Sequence, residues 1–425
     1  VPTSKVAVLR TSSRTILADY HELLNLADYQ NEIANDADTA LKINISWHHF
    51  YPACSTTPWQ LEGVIRAMKR DGYSPDLIHG CHNRTVVIDS HLGERENKQK
   101  VVTDAHGLRN IHLYEGEEWI NVRDAVGDLA KEFICLNEVY PQGFSIPKRF
   151  IGENIIHLPT VKTHVFTTTT GAMKNAFGGL LNERRHWTHP VIHETLVDLL
   201  MIQKKIHRGL FAVMDGTFVG SGPGPRCMTP HVKNVILASA DPVAIDAVAA
   251  KMMGFNPLDL KYIRLAHEKG LGCGDPREIE IAGDQQAAEE NWQFEDPTLN
   301  MTFAARMQHK IYWGKLKSLI EWSLKTWLAP WAYIASVVYH DMYWYPKYAN
   351  RQMQEILGSE WGRLFNNWER LQPDERGFPD VGEAPITLTA DSLRLFKRSV
   401  GILGQCIREA PEFAAHKRRA KTVQR

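Results

Sequence analysis

Lys162-Thr163-His164-Val165-Phe166-Thr167-Thr168-Thr169-Thr170-Gly171-Ala172-Met173-Lys174-Asn175-Ala176-Phe177-Gly178-Gly179 comes just after the apolar segment Asn154–Leu158. Two lysines, a histidine, four consecutive hydroxyls and an amide crowd a turn-rich passage, more polar functionality than core packing asks for. If Asn154–Leu158 is a strand of an open α/β sheet, the passage lies at its carboxyl end, where such sheets place ligands. A helix starting near Gly171 would put Thr169 and Thr170 at its N-terminus, where free N–H groups and the helix dipole favour carboxylate or phosphate. Lys174 and Asn175 follow in the first turn and reach the same anion.

Outward from this passage, short apolar runs alternate with longer amphipathic ones up to about residue 284, the pattern of a βα-alternating domain. Strands are expected at 5–10, 40–46, 76–79, 111–114, 154–158, 210–214, 235–238 and 278–281, and helices at 57–70, 191–207, 241–253 and 258–269. Asp241-Pro242 reads as an N-cap followed by proline at the first helical position, and Gly254 closes that helix. The expected fold is α/β, an open, mostly parallel sheet with flanking helices over residues 1–284. A Trp-rich helical appendage follows over 285–410, then a disordered basic tail over 411–425.

Eight of the twelve tryptophans fall in the last third. The uncharged run 327–339 contains Pro330 and is too short for a membrane span, which needs about twenty apolar residues. Trp and Tyr beside Lys315, Lys317, Lys325 and Lys347 suit a segment lying in a membrane interface. They suit better a helical hairpin packed on the sheet domain or on a second subunit, since aromatics are also enriched at protein interfaces. Peripheral membrane contact and homo-oligomerisation therefore both stay open.

The chain has 425 residues, 44% hydrophobic and 23% charged, with 49 basic and 49 acidic side chains. No overall field draws it to nucleic acid, so a nucleic-acid partner is not expected. The six cysteines contain no C-x-x-C pair, which speaks against a zinc finger or a dense disulfide scaffold and for a reducing compartment. No secretory signal pattern follows Val1, and a cytoplasmic location is expected.

Three further passages carry candidate chemistry. His164, His186, His189 and His193 lie close in sequence; His189 and His193, four apart, suit a metal if one helix carries both, although Pro190 lies between them. Asp215 at the end of the strand 210–214 is a candidate acid, base or metal ligand, the glycines after it allow close backbone approach, and Arg226 is a candidate anion clamp. Lys42 and Asn44 end an early strand just before Trp47-His48-His49, and Gly80-Cys81-His82-Asn83-Arg84 ends the next, both on the same carboxyl edge. The catalytic candidates are thus His164, Lys174 and Asp215. Binding candidates are Lys42, Asn44, Lys162, Thr169, Thr170, Asn175 and Arg226, and the metal candidates are His189 and His193, with nickel or iron as the ion.

Taken together these residues resemble the DUF362 family, a domain of unknown function, over residues 5–284. Its Lys-Pro-Asn appears as Lys42-Ile43-Asn44, with Ile43 in place of proline. Its Lys-Thr-His and Thr-Gly-Ala-x-Lys-Asn-x-Phe-Gly appear as Lys162-Thr163-His164 and Thr170 through Gly178. Its Asp-Gly with a Gly-rich loop appears as Asp215-Gly216 with Ser221 through Pro225, and its Ser-x-Asp-Pro-Val-Ala-x-Asp-Ala as Ser239 through Ala247. The ferredoxin-like segment of many members is missing, so the resemblance implies no electron transfer through such a cluster. The order Gly171-Ala172-Met173-Lys174, Gly178-Gly179, His189 is also similar to that of nickel-pincer lactate racemases. That similarity would make Lys174 the attachment point of a nickel-pincer nucleotide, His189 the metal ligand and His164 a proton acceptor.

Three functions are compatible with these features. The first is a metal- or cofactor-dependent enzyme, oxidoreductase or isomerase, acting on a small anionic or oxygen-bearing substrate. The second is an iron–sulfur or other redox protein using Cys54, Cys81, Cys227 and Cys273. The third is a non-catalytic partner docked to a membrane or assembly through the Trp-rich helices; in that case removal of residues after about 290 would leave the sheet domain folded.

Overall fold

A computed structural model describes residues 4–83, 87–181, 183–314, 330–371 and 404. Twelve strands occur among them: β1 (Ser4–Arg10), β2 (Thr39–Ile43), β3 (Ile78–His82), β4 (Arg109–His112), β5 (Trp119–Asn121), β6 (Ser145–Pro147), β7 (Asn154–Leu158), β8 (Thr160–His164), β9 (Thr168–Thr170), β10 (Leu210–Ser221), β11 (Thr229–Ser239) and β12 (Ile279–Gly283). Ten form one sheet in the order β12-β1-β11-β10-β7-β2-β3-β4, with β8 on β10 and β9 on β8, while β5 and β6 pair separately. The pairs β2/β3, β2/β7, β3/β4, β7/β10, β8/β10 and β1/β12 are parallel, and β11 runs antiparallel to both neighbours. Helices cover both faces, and the buried apolar residues fall into two large clusters, one against each face. The mostly parallel sheet with flanking helices is therefore the fold, and its inner parallel strands β2, β3 and β7 are buried along their length, as expected of strands covered on both sides.

The expected helices form at Pro58–Arg70, Ile192–Ile206, Pro242–Met253 and Lys261–Glu268. Asp241 caps the third, accepting hydrogen bonds from the Val243 and Ala244 amides, and Gly254 ends it at φ +102°. The central passage departs from expectation. It is a β-hairpin, with β8 antiparallel to β9 and Thr168 in the left-handed region at φ +62°, and the helix that follows is only Ala172–Asn175. β8 was missed because Pro159 interrupts the run; β10 bridges the break, pairing with β7 before it and with β8 after it. The strand expected at 210–214 continues to Ser221, since β10 and β11 form one long hairpin whose turn is the Gly-Pro passage.

The C-terminal region is helical and Trp/Tyr-rich, and it shares the sheet domain's core. Trp361 and Trp368 pack on Trp59 at ring distances of 5.1 and 6.1 Å, Tyr345 packs edge-on to Trp47 at 4.9 Å, and Phe365 stacks on Phe50 at 3.7 Å. Polar bonds fix the seam: the Trp361 indole donates to Asn234 Oδ1 at 2.6 Å and the Tyr345 hydroxyl to the Phe50 carbonyl at 2.7 Å. Trp322, Trp327, Lys315, Lys317, Lys325 and the basic tail lie outside the described residues. Among the described residues, no helix is long and apolar enough to cross a membrane.

Candidate active site

A cavity of about 300 Å³ opens at the carboxyl ends of β2, β3 and β8, roofed by the turn between β10 and β11, by the helix Phe303–Trp313 and by His340 of the π-helical turns Val338–Ala349. Its wall carries Lys42, Lys174, Arg185 and Arg226, the histidines His82, His164, His186, His189 and His340, and the amides Asn44, Asn83, Asn175 and Gln308, with no carboxylate among the described residues. Seven of the residues picked from the sequence meet here: Lys42, Asn44, His164, Lys174, Asn175, His189 and Arg226. Arg185, His82 and His340 were not picked. Of these only His82 had a signal, as part of the polar end of β3.

The local structure explains the positions. Lys42 ends β2 on the inner side and donates to the Ile43 carbonyl at 2.7 Å; Asn175 donates to the Lys42 carbonyl at 2.8 Å, tying the short helix to β2. Gly171 is required because a Cβ there would lie 1.9 Å from Asp246 Oδ1. That carboxylate accepts from the Ala172 and Met173 amides at 2.6 and 3.2 Å. The helix N-terminus expected to bind an external anion is therefore filled by the protein's own Asp246. Thr169 and Thr170 are corrected with it: both are strand residues outside the cavity wall, Thr169 hydrogen-bonded to the Tyr262 hydroxyl at 2.8 Å.

Two other picks are supports. Lys162 is buried, with Nζ 2.6 to 3.2 Å from Cys54 O, Asn44 Oδ1, Thr160 Oγ1 and Ser46 Oγ; it orients Asn44 and does not line the cavity. Asp215 sits mid-strand and fully buried on the other side, accepting from the Tyr20 hydroxyl, the Thr57 hydroxyl, the Trp59 indole and Thr217 at 2.6 to 3.0 Å. It is a core hub and not a catalytic group of this cavity, because β10 does not end where the sequence pattern suggested.

The electrostatics follow from burying cations together. Burial, with Lys162 and Arg185 nearby, lowers the Lys174 ammonium to about 7, and burial with Arg185 lowers Lys42 to about 8. Burial depresses His189 and His340 to about 3 and keeps His164 well below its ordinary value, with Lys174 and His189 adding to the last. Burial thus disfavours the charged form of His164, His189 and His340, and hydrogen bonds fix the tautomers of the first two. His164 Nδ1 accepts from the Phe166 amide at 3.1 Å, so its proton is on Nε2; His189 Nδ1 donates to the His186 carbonyl at 3.0 Å, leaving a lone pair on Nε2. The expected proton acceptor, His164, thus presents an N–H in this state, and His189 Nε2 presents a lone pair.

His189 and His193 do not share one α-helix: Glu183–Val191 is a 3₁₀ segment and only Ile192–Ile206 is α-helical, and among the described residues neither belongs to a three-ligand group placed to hold a metal. Groups of three such side chains do occur, and two are fully buried: His82, Glu94 and His112, and His48, His49 and Asp341. In the first, Glu94 Oε1 takes both His82 Nε2 and His112 Nε2, the latter at 2.8 Å, and His82 also lines the cavity. Burial raises the Glu94 carboxyl, but the two histidines outweigh it and hold it well below the usual range. Among the described residues no such group contains more than one cysteine, so Cys54, Cys81, Cys227 and Cys273 are not assembled as a cluster seat.

A family model described as Domain of unknown function (DUF362) matches residues 39–251. The match is narrower than the resemblance over 5–284 and leaves out β1 and β12; nothing in it supports the likeness to nickel-pincer racemases. A thylakoid-associated protein of Synechocystis sp. is 22% identical over 161 residues, covering 35% of this chain and 48% of that protein. The chain thus spans about half the length of this curated relative. The matched residues take in the cavity wall from Lys42 to Arg226, and the chain belongs to the DUF362 family.

Proposed function

We propose that the cavity binds a small anionic, oxygen-bearing substrate and moves a proton on it, as an isomerase or oxidoreductase would. One observation carries this reading: four cationic side chains and five histidines face one cavity, with no carboxylate among its described lining residues. Lys42, Arg185 and Arg226 would hold the carboxylate or phosphate of the substrate. Neutral His164 would polarise a substrate oxygen through its Nε2–H, while His189 Nε2 or the neutral Lys174 amine takes the proton. A transition metal such as nickel or iron, held by His82, Glu94 and His112, would supply Lewis-acid or redox chemistry at the cavity wall. The pincer nucleotide fits less well, since His189 stands apart from the metal-capable groups, and no step is drawn through it.

Calorimetric titration of the full chain with orthophosphate and with small mono- and dicarboxylates tests the anion site. Binding that weakens at least about tenfold in Lys174→Met and Lys42→Met is the expected outcome. Preference for neutral or cationic ligands would sink the proposal. Exchange of substrate C–H hydrogen with deuterated solvent, followed by NMR and lost in His189→Gln, would identify the proton transfer.

A second reading concerns surfaces. Six of the seven exposed large hydrophobics among the described residues, Leu299, Phe303, Trp313, Val338, Tyr343 and Tyr348, fall within 299–348. Together with the name of the thylakoid-associated relative, this supports peripheral contact of that segment with a lipid surface; contact with a second copy is the competing outcome. Co-sedimentation with anionic liposomes, set beside the mass in solution by light scattering, separates the two.

A further inference from the structure

We infer that His48, His49 and Asp341 form a second metal seat, a clip for a divalent transition metal that fastens the C-terminal helical region to the loop after β2. Their ligand atoms all lie within 4.8 Å of one another, and the three side chains are 0%, 1% and 1% exposed. Two imidazoles and one carboxylate are a donor set for zinc, iron or a similar ion, and not for magnesium or calcium.

The hydrogen bonding points the same way. Both ring nitrogens of His48 are buried without a hydrogen bond, and so is Asp341 Oδ2. His48 Nε2 and Asp341 Oδ2 face each other at 3.4 Å, too long for the 2.7 to 2.9 Å of a charge-assisted hydrogen bond. Buried polar atoms left in this state are costly, and an ion between them would satisfy both at once. The other carboxylate oxygen is already oriented: the Trp47 indole donates to Asp341 Oδ1 at 2.7 Å, the kind of outer contact that aims a metal ligand. Arg226 is the cation nearby that opposes a metal, but its Nη2 donates to Ser336 Oγ at 3.1 Å and it lines the substrate cavity.

Asp341 lies on the π-helical turns Val338–Ala349, a wide helix form that occurs mainly at functional sites. Its chain neighbour His340 is in the cavity wall. A metal at the clip would therefore hold the roof of the cavity in place without touching substrate. The three ligands are buried and none of them lines the cavity, which favours a structural role, with a fourth ligand completing the tetrahedron.

The test uses the full chain stripped by a chelator and then titrated with Zn²⁺, with melting temperature and bound metal measured. The group His82, Glu94 and His112 has the same donor types, so Glu94→Gln is the reference background. Expected are one equivalent of Zn²⁺ and a higher melting temperature in Glu94→Gln, with affinity at least about tenfold weaker once Asp341→Asn is added. Asparagine there keeps an acceptor for Trp47. Equal uptake with and without Asp341→Asn, or no uptake in Glu94→Gln, overturns the inference. If the double variant does not fold, zinc-edge X-ray absorption on Glu94→Gln with His112→Gln added, which leaves no other group with two histidines among the described residues, decides: two imidazole ligands support the clip, and their absence refutes it. Anion binding in the cavity is measured separately, so either result leaves the proposed function to its own test.

Discussion

Lys174 and His189 set the pH behaviour of the site. Lys174 falls from an ordinary 10.5 to about 7 and His189 from 6.5 to about 3, chiefly by burial. Between each pair of values the unfolded chain binds more protons than the folded one. Stability therefore falls as pH drops from 10.5 to 7, and again from 6.5 to 3. An anion in the cavity offsets the cations, so millimolar sulfate should raise the melting temperature more at about pH 6 than at about pH 9, at matched ionic strength. Lys174→Met should remove most of that difference; an unchanged difference would move the anion elsewhere. Asp215 tests the opposite assignment. Asp215→Ala takes the acceptor from the buried Tyr20, Thr57 and Thr217 donors and leaves the Trp59 indole only Thr217 Oγ1 at 3.2 Å, and should cost about 3 to 5 kcal/mol in denaturant titration, while anion affinity of the folded fraction stays unchanged. Seven cavity residues were legible in the sequence because polar side chains at strand ends stand out against apolar strands. Asp215 misled for the same reason: a buried carboxylate with four donors has the same local pattern as a catalytic one.

At the scale of elements, the hairpin β8–β9 and the four-residue helix after it carry most of the site, and they are held from outside. Asp246, from the helix Pro242–Met253, caps the short helix, and burial pushes its carboxyl up to about 7 against the two amides that favour its ionised form. Asp246→Ala should lower stability by about 1 to 2 kcal/mol, as loss of a cap does, and should weaken anion binding by misplacing Lys174 and Asn175. Stability loss with unchanged affinity would show that the helix needs no cap to hold the two side chains. The distant half of the pattern Ser239 through Ala247 was visible in the sequence; that Asp246 reaches Gly171 was not, because a cap supplied across 70 residues leaves no local trace.

The whole molecule is bound together by the seam between the sheet and the Trp-rich region. Trp344, Trp361 and Trp368 are buried in the core that also holds Trp47 and Trp59. Each aromatic contact adds about 0.5 to 1.5 kcal/mol beyond its buried area. Deleting residues after about 290 should therefore give an aggregating or partly unfolded sheet domain, contrary to the expectation for a docking appendage. A soluble fragment with a cooperative melt would restore the appendage reading. Sequence by itself determined the sheet, most of its strands, the capped helix 242–253 and the strand ends where polar residues gather, since these follow from alternation, proline and glycine placement and short-range caps. Only the tertiary structure decided that the threonine run is a strand, that Asp246 fills the expected anion site, and that residues 48, 49 and 341 meet. These depend on contacts between residues far apart in the chain, where the deciding quantity is which groups are left buried together without a partner.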